Sequence, residues 1–192
     1  LWVIDPLDGT TNFLHGVPHF AVSIAYCERG EPICGVVWNP AHGDMYTAVR
    51  GQGAYYNGRP IRVSPTDRMD ESLIGTGFHV DRGPQMEATL SATLGAITEL
   101  FRLKIHCIRR FGSAALDLCQ VASGLYGAYF EYRLSAWDFA AGMLIVAEAG
   151  GQVSNGRGGP LRLCRSSIIA SNSKLHPQMV EIVSRYHDHF GS

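Results

Sequence analysis

Two aspartates close to the start of the chain, Asp5 and Asp8, are separated only by Pro6 and Leu7. Pro6 fixes its own φ and removes a backbone donor, so a stiff turn rather than a loose loop presents the two carboxylates. Two carboxylates and a peptide carbonyl held together suit a hard cation such as Mg²⁺, which takes oxygen ligands in a near-octahedral array. Asp8-Gly9-Thr10-Thr11-Asn12 then read as the start of a short helix, whose first N–H groups lack helical partners. Such an end, with its positive dipole, suits a phosphate. One turn thus offers cation ligands and phosphate donors side by side. An Asp-Pro-x-Asp-Gly string alone is an ordinary turn. Here the apolar run Leu1-Trp2-Val3-Ile4 leads into it as a buried strand that breaks at Pro6.

A second acidic motif lies far downstream, at Trp137-Asp138-Phe139-Ala140-Ala141-Gly142. Asp138 sits where a helix should start, and its plain reading is a cap or a partner for the helix dipole. The helix that follows, through Met143, Leu144, Ile145 and Val146, is apolar almost all round and should be buried. A buried carboxylate needs a cation or a hydrogen-bond network. The small residues Ala140, Ala141 and Gly142 would let another backbone or a ligand come close.

The two strings together, WVIDPLDGTTNF (residues 2–13) and WDFAAG (residues 137–142), resemble the inositol monophosphatase family within the lithium-sensitive, Mg²⁺-dependent phosphatases. The resemblance runs through NFLHGVPHFAVSIAY, RGQGAYYNG and GSAALDL and covers the whole chain, with bacterial members most similar. It implies an α/β (α+β) fold, the five-layer αβαβα sandwich, here without the first helical layer. It implies a phosphatase acting on inositol monophosphate or a similar polyol phosphate, with two or three Mg²⁺ per site. One Mg²⁺ would be held by Asp5, the Leu7 carbonyl and a glutamate, and a second by Asp5, Asp8 and Asp138. Thr10 would orient and activate the attacking water, with Asp5 sharing the catalytic work through the metal. The substrate contacts implied are Leu7, Asp8, the N–H groups of Gly9 and Thr10, the Gly112-Ser113-Ala114 turn, Glu131 and Asp138. Phosphate monoesters hydrolyse extremely slowly without help, so neutralising charge and orienting water are the tasks such a site must perform.

Family members carry a helical region with a Glu-Glu metal motif ahead of the first strand, whereas this chain starts at Leu1. The expectation is an N-terminally incomplete chain with an incomplete first metal site. Arg133 stands where relatives commonly have glycine, which suggests a more anionic substrate or a side chain turned to solvent. Histidinol phosphate is the rival substrate. A regulatory protein that binds the transcription machinery is the rival from a different class. A homodimer is the family habit.

Composition agrees with a globular chain. With 192 residues, 46% hydrophobic and 17% charged, it can bury one sizeable core. A net charge of −1, with scattered arginines, argues against direct nucleic-acid binding. Cys27, Cys34, Cys107, Cys119 and Cys164 are odd in number and set among apolar neighbours. They read as buried free thiols in a reducing cytoplasm. No apolar run is long enough to span a bilayer.

The elements that must position the two motifs follow from the patterning. Residues 1–64 read as an antiparallel meander: strands near 20–26, 33–38 and 45–49, then a hairpin at Asn57-Gly58. Residues 65–192 read as alternating strands and helices, the two parts forming one domain. Met86, Leu90, Leu94, Ile97 and Phe101 have the spacing of an amphipathic helix. Ser113 can cap a helix over 114–122. Tyr126 to Tyr132 is a strand carrying Glu131, whose plain reading is a solvated acid at a strand end. The Asn155 to Pro160 stretch is a hairpin turn, and Pro177 to Phe190 a closing helix. His15, His19 and His42 lack metal spacing and read as surface or satisfied residues. His187-Asp188-His189 reads as a solvated tail.

Overall fold

The computed structural model describes residues 1–78 and 83–187. Six strands form the first sheet in sequence order: β1 (Trp2–Asp8), β2 (Ala21–Glu28), β3 (Glu31–Asn39), β4 (Asp44–Val49), β5 (Ala54–Tyr56) and β6 (Arg59–Pro60). All neighbours are antiparallel. Between β5 and β6, Asn57 and Gly58 both take positive φ, 47° and 76°, as a two-residue hairpin turn requires. Helix α1 (Thr10–Leu14) is a single short stretch between β1 and β2.

The second sheet is mixed, with β7 (Leu73–Thr76), β8 (Cys107–Arg109), β9 (Ala128–Leu134), β10 (Gly151–Asn155) and β11 (Ser166–Asn172) in the order β10-β11-β9-β7-β8. Helices α3 (Ala114–Ala122) and α4 (Ala136–Glu148) lie between the sheets, while α2 (Met86–Arg102) and α5 (His176–Ser184) cover the far face of the second sheet. The described residues therefore build four layers: sheet, helix pair, sheet, helix pair. No helix among them is long and apolar enough to cross a membrane.

The middle helix pair explains the small residues of the second motif. α4 is buried almost all round because it faces a sheet on either side. Gly35 on β3 approaches so closely that a Cβ there would lie 3.0 Å from the Ala141 Cα. On the other flank, a Cβ on Gly142 would meet Leu118 of α3 at 2.5 Å. The small side chains thus admit backbone and a neighbouring helix.

Several expectations are corrected. β1 does not break at Pro6. It runs on to Asp8, with an irregularity between Asp5 and Asp8 that takes up the proline. Most of the stripe expected to make α2 amphipathic faces outward: Met86, Leu90, Leu94 and Phe101 are exposed, only Ile97 packs partly against the core, and Thr89, Ala92, Thr93, Ala96 and Leu100 are buried. Small side chains let the helix lie close to the sheet. The buried Thr89 and Thr93 hydroxyls donate to carbonyls one turn back, at 2.9 and 2.8 Å, which removes the cost of hiding them.

β10 was not anticipated. Its pairing with β11 makes the glycine-rich stretch part of a longer connection. The closing helix starts at His176 and ends at Ser184; Phe190, Asp188 and His189 lie outside the described residues. All five thiols are free, but only Cys27 and Cys119 are buried, and Cys164 is exposed.

Candidate metal and phosphate site

The parity of β1 makes the site. Along a regular strand, residues three apart point to opposite faces. Here Asp5 pairs with Ser23 and Asp8 with Ala21, so three steps on β1 match two on β2. That is a β-bulge with one extra residue, and it turns both aspartates to the same side. Pro6 falls within it, where the ladder demands no N–H. Asp138 arrives from the start of α4, and one carboxylate oxygen from each of Asp5, Asp8 and Asp138 lies within 4.8 Å of the others.

The protein fixes one oxygen of each acid. Asp5 Oδ1 accepts the Leu7 N–H at 3.0 Å. Asp8 Oδ2 accepts the Ser113 hydroxyl at 2.6 Å and the Ala115 N–H at 2.8 Å. Asp138 Oδ2 accepts the Ser135 N–H at 2.7 Å, so it is a helix cap and a cluster member at once. Each acid can offer one carboxylate oxygen to a shared cation. Burial pushes the Asp8 carboxyl up to about 6, with the charge of Asp5 adding, although hydrogen bonds from Ser113, the Ala115 N–H and the Gly9 backbone pull the other way. Burial raises Asp138 to about 7, and the charges of Asp8 and Asp5 add to it while the Ser135 bond opposes. Crowded acids that resist ionisation together are what a divalent cation relieves, and the all-oxygen donor set fits a hard ion.

Beside the cluster, Gly9 caps α1 in the left-handed region, with φ +84°. A Cβ there would also lie 3.0 Å from the His19 carbonyl oxygen and 3.2 Å from that of Gly112, so only glycine fits. The Thr10 hydroxyl donates to the Leu7 carbonyl at 2.9 Å, tying the two residues together. Asn12 pins the helix from its other side, its Nδ2 donating to the carbonyls of His19 and Phe111, each at 2.7 Å.

These groups open on a cavity of ≈ 410 Å³ whose wall includes Asp8, Gly9, Thr10, Gly112, Ala114 and Asp138. Glu131 also lines it. This acid is buried rather than solvated at a strand end, and it accepts the Tyr129 hydroxyl. Burial raises it to about 7, with the charges of Asp8 and Asp138 adding and the Tyr129 bond opposing. Gly77 leaves the room it needs, since a Cβ on Gly77 would overlap the Glu131 carboxyl.

Three expectations about the site change. Ser113 is fully buried and does not line the cavity; its hydroxyl donates to Asp8 and accepts the Leu116 N–H. Arg133 neither lines the cavity nor points to solvent, for its Nη1 donates to Gln85 at 2.7 Å. Its φ of 64° lies in the left-handed region that glycine prefers. Among the histidines, His15 and His42 are exposed as expected. His19 instead keeps a buried Nε2 with no hydrogen-bond partner among the described residues, and burial lowers its pKa.

Sequence reasoning missed Asn12, Arg110, Asp117 and Arg165. Arg110 and Arg165 line the cavity. Asp117 lies in the first turn of α3, where burial, followed by the charges of Glu131 and Asp8, holds its carboxyl well above the usual range. An acid in a strongly apolar helix was the available signal for Asp117. The arginines had none, because only the fold brings them to the site.

A family model described as "Inositol monophosphatase family" matches residues 1–188. The chain is 42% identical over 187 residues to a protein of Rhizobium meliloti named inositol-1-monophosphatase, covering 96% of this chain and 67% of that one. It is 48% identical over 177 residues to a Pseudomonas aeruginosa protein named Nus factor SuhB, covering 91% of this chain and 63% of that one. Among solved structures, an inositol monophosphatase from Anabaena superposes with a TM-score of 0.88 at 38% identity, covering 96% of this chain and 71% of the other. The chain thus spans about two thirds of the length of these relatives.

Proposed function

This chain belongs to the inositol monophosphatase family, and from that premise we propose that it is a Mg²⁺-dependent phosphate monoester hydrolase acting on inositol monophosphate or a similar polyol phosphate. The observation that carries this reading is the convergence of Asp5, Asp8 and Asp138 beside the glycine-capped start of α1, at one end of a cavity.

Asp5, Asp8, Asp138 and the Leu7 carbonyl would hold the metal. Bound there, Mg²⁺ supplies charge neutralisation of the phosphate and acidification of water. Gly9 and Thr10 direct their N–H groups to phosphate oxygens, and the stiff glycine cap keeps those donors aligned before substrate arrives. The Thr10 hydroxyl, held beside Leu7, orients the attacking water. Asp8 keeps its position through Ser113 and Ala115, so that misalignment of the cluster is resisted from behind. Gly112, Ala114 and Glu131 contact the polyol, Glu131 reading hydroxyl groups. Ser113 acts through Asp8.

Phosphate release from inositol 1-phosphate, with and without Mg²⁺, tests the reading, with histidinol phosphate run alongside. Mg²⁺-dependent release that disappears in Asp138→Asn is the expected result, and the ratio of the two substrates identifies the preferred one. Hydrolysis of neither ester by metal-replete protein would remove both from consideration.

The similarity to a protein named Nus factor SuhB favours a second reading, a regulatory role exercised by binding the transcription machinery. An Asp5→Asn, Asp138→Asn double variant separates the two. A cellular phenotype that survives loss of the carboxylates belongs to binding, and one that vanishes belongs to hydrolysis.

A further inference from the structure

The Asn12 side chain joins three segments that come together at the candidate site. Its Nδ2 donates to the His19 carbonyl and to the Phe111 carbonyl, each at 2.7 Å, the second across 99 residues of sequence. Two carbonyl acceptors accommodate only the NH₂ end of an amide, so its neighbours fix which way the side chain points. The backbone acts in the same place. The Asn12 carbonyl accepts the N–H groups of His15 and Val17, at 3.2 and 2.9 Å, and so closes the turn that follows α1.

The same segments enclose Gly9. A Cβ on Gly9 would meet the carbonyl oxygens of His19 and Gly112, and one on Gly112 would lie 3.4 Å from Asn12 Nδ2. The Gly9–Thr10 turn is thus clamped between residues 19–20 and residues 111–112, and the Asn12 amide is the polar link that draws both onto it. Phe13 packs edge-on to Phe20 at 5.1 Å, and His19 tilts against Phe111 at 5.2 Å. These ring contacts join the same segments without help from the amide. Removing the amide therefore costs alignment rather than the junction itself.

Asn12 lines the cavity, yet an amide NH₂ has two N–H donors and both are spent on carbonyls. Its influence on a substrate runs through the segments it holds. We propose that Asn12 is a positioning residue that couples the two halves of substrate binding: it sets the Gly9–Thr10 phosphate donors against the Gly112–Ala114 turn that meets the polyol. This rests on the phosphatase reading above. The metal cluster has its own supports, since Ser113 and the Ala115 N–H hold Asp8 and the Ser135 N–H holds Asp138. Loss of the amide should loosen phosphate and leave Mg²⁺ in place.

Two variants test it. Asn12→Leu keeps nearly the volume of the side chain and removes both donors, whereas Asn12→Ala removes volume and donors together. With inositol 1-phosphate and Mg²⁺, each should raise KM about tenfold, the worth of one or two neutral hydrogen bonds, and lower kcat by less. Affinity for orthophosphate, measured by product inhibition and by calorimetry with Mg²⁺ present, should fall by the same factor. Calorimetric Mg²⁺ affinity without phosphate should be unchanged. Wild-type KM and phosphate affinity in either variant would overturn the proposal. A parallel fall in Mg²⁺ affinity, or loss of the fold in both variants, would overturn it too, by making Asn12 a general support. If wild-type protein binds orthophosphate and hydrolyses no ester, the phosphatase reading fails alone, and the phosphate affinities of the variants still decide the role of Asn12. Wild-type protein that binds no orthophosphate with Mg²⁺ present overturns both.

Discussion

The Ser113 hydroxyl donates to Asp8 Oδ2 at 2.6 Å across 105 residues of sequence, and both side chains are buried. One hydroxyl therefore caps α3 and aims a carboxylate of the cluster. Ser113→Ala should lower stability by about 1–2 kcal/mol, the combined loss of a cap and a buried donor to a charged group. It should also weaken Mg²⁺ binding. Chemical denaturation and calorimetric metal titration measure the two effects, and a variant that binds metal as tightly as wild type would show that Asp8 needs no support.

Mg²⁺ should stabilise the fold. At a concentration about a hundredfold above its dissociation constant, the melting temperature should rise by roughly 5–10 °C, as linkage predicts for a chain of this size. Asp138→Asn should abolish most of that rise. Differential scanning calorimetry at several Mg²⁺ concentrations gives the answer without any assay of activity.

Acidity should act in a definite direction. Asp8, Asp138 and Glu131 carry folded-state values of about 6, about 7 and about 7, all raised first by burial. A raised value means the folded chain holds protons that the unfolded chain has released. Metal-free stability from these groups is thus complete below about pH 4 and is lost as pH rises to about 7. Protons and Mg²⁺ compete for the same carboxylates, so the Mg²⁺-induced rise in melting temperature should grow over that interval. A rise independent of pH would place the metal elsewhere.

Gly77→Ala should damage substrate contact while sparing the fold. The new methyl group would overlap the Glu131 carboxyl, and the backbone at Gly77 has no positive φ to strain. KM for inositol 1-phosphate should rise about tenfold, the cost of losing one good polar contact. Circular dichroism should show unchanged secondary structure.

Gly35→Ala probes the packing that holds Asp138 in place. A Cβ 3.0 Å from Ala141 Cα must push α4 away from β3, at a cost of about 1–3 kcal/mol. Urea denaturation should record the loss. Mg²⁺ affinity should fall as well, because Asp138 moves with its helix.

Much was legible where local chemistry decides. Asp5, Asp8, Gly9 and Asp138 stand in strings whose turn and cap chemistry can be read residue by residue, and those strings carried the family resemblance. The apolar run of α4 showed its burial because no polar stripe interrupts it. α2 misled for the opposite reason. Its large apolar residues mark a stripe, yet the buried side is the one lined with Thr89, Ala92, Thr93 and Ala96, where small volume permits close contact with the sheet.

The sequence by itself determined the acids, the glycine cap, the alternation of strands and helices, and the family. Only the tertiary structure decided how they meet. The bulge that turns Asp5 and Asp8 to one side depends on the register against β2. The closure of Asp138 onto them depends on α4 being packed against both sheets. Ser113 faces Asp8 rather than the cavity, and Arg110 and Arg165, far apart in sequence, both line the cavity. Each of these is a long-range relation set by register and packing, and neighbouring residues along the chain carry no record of it.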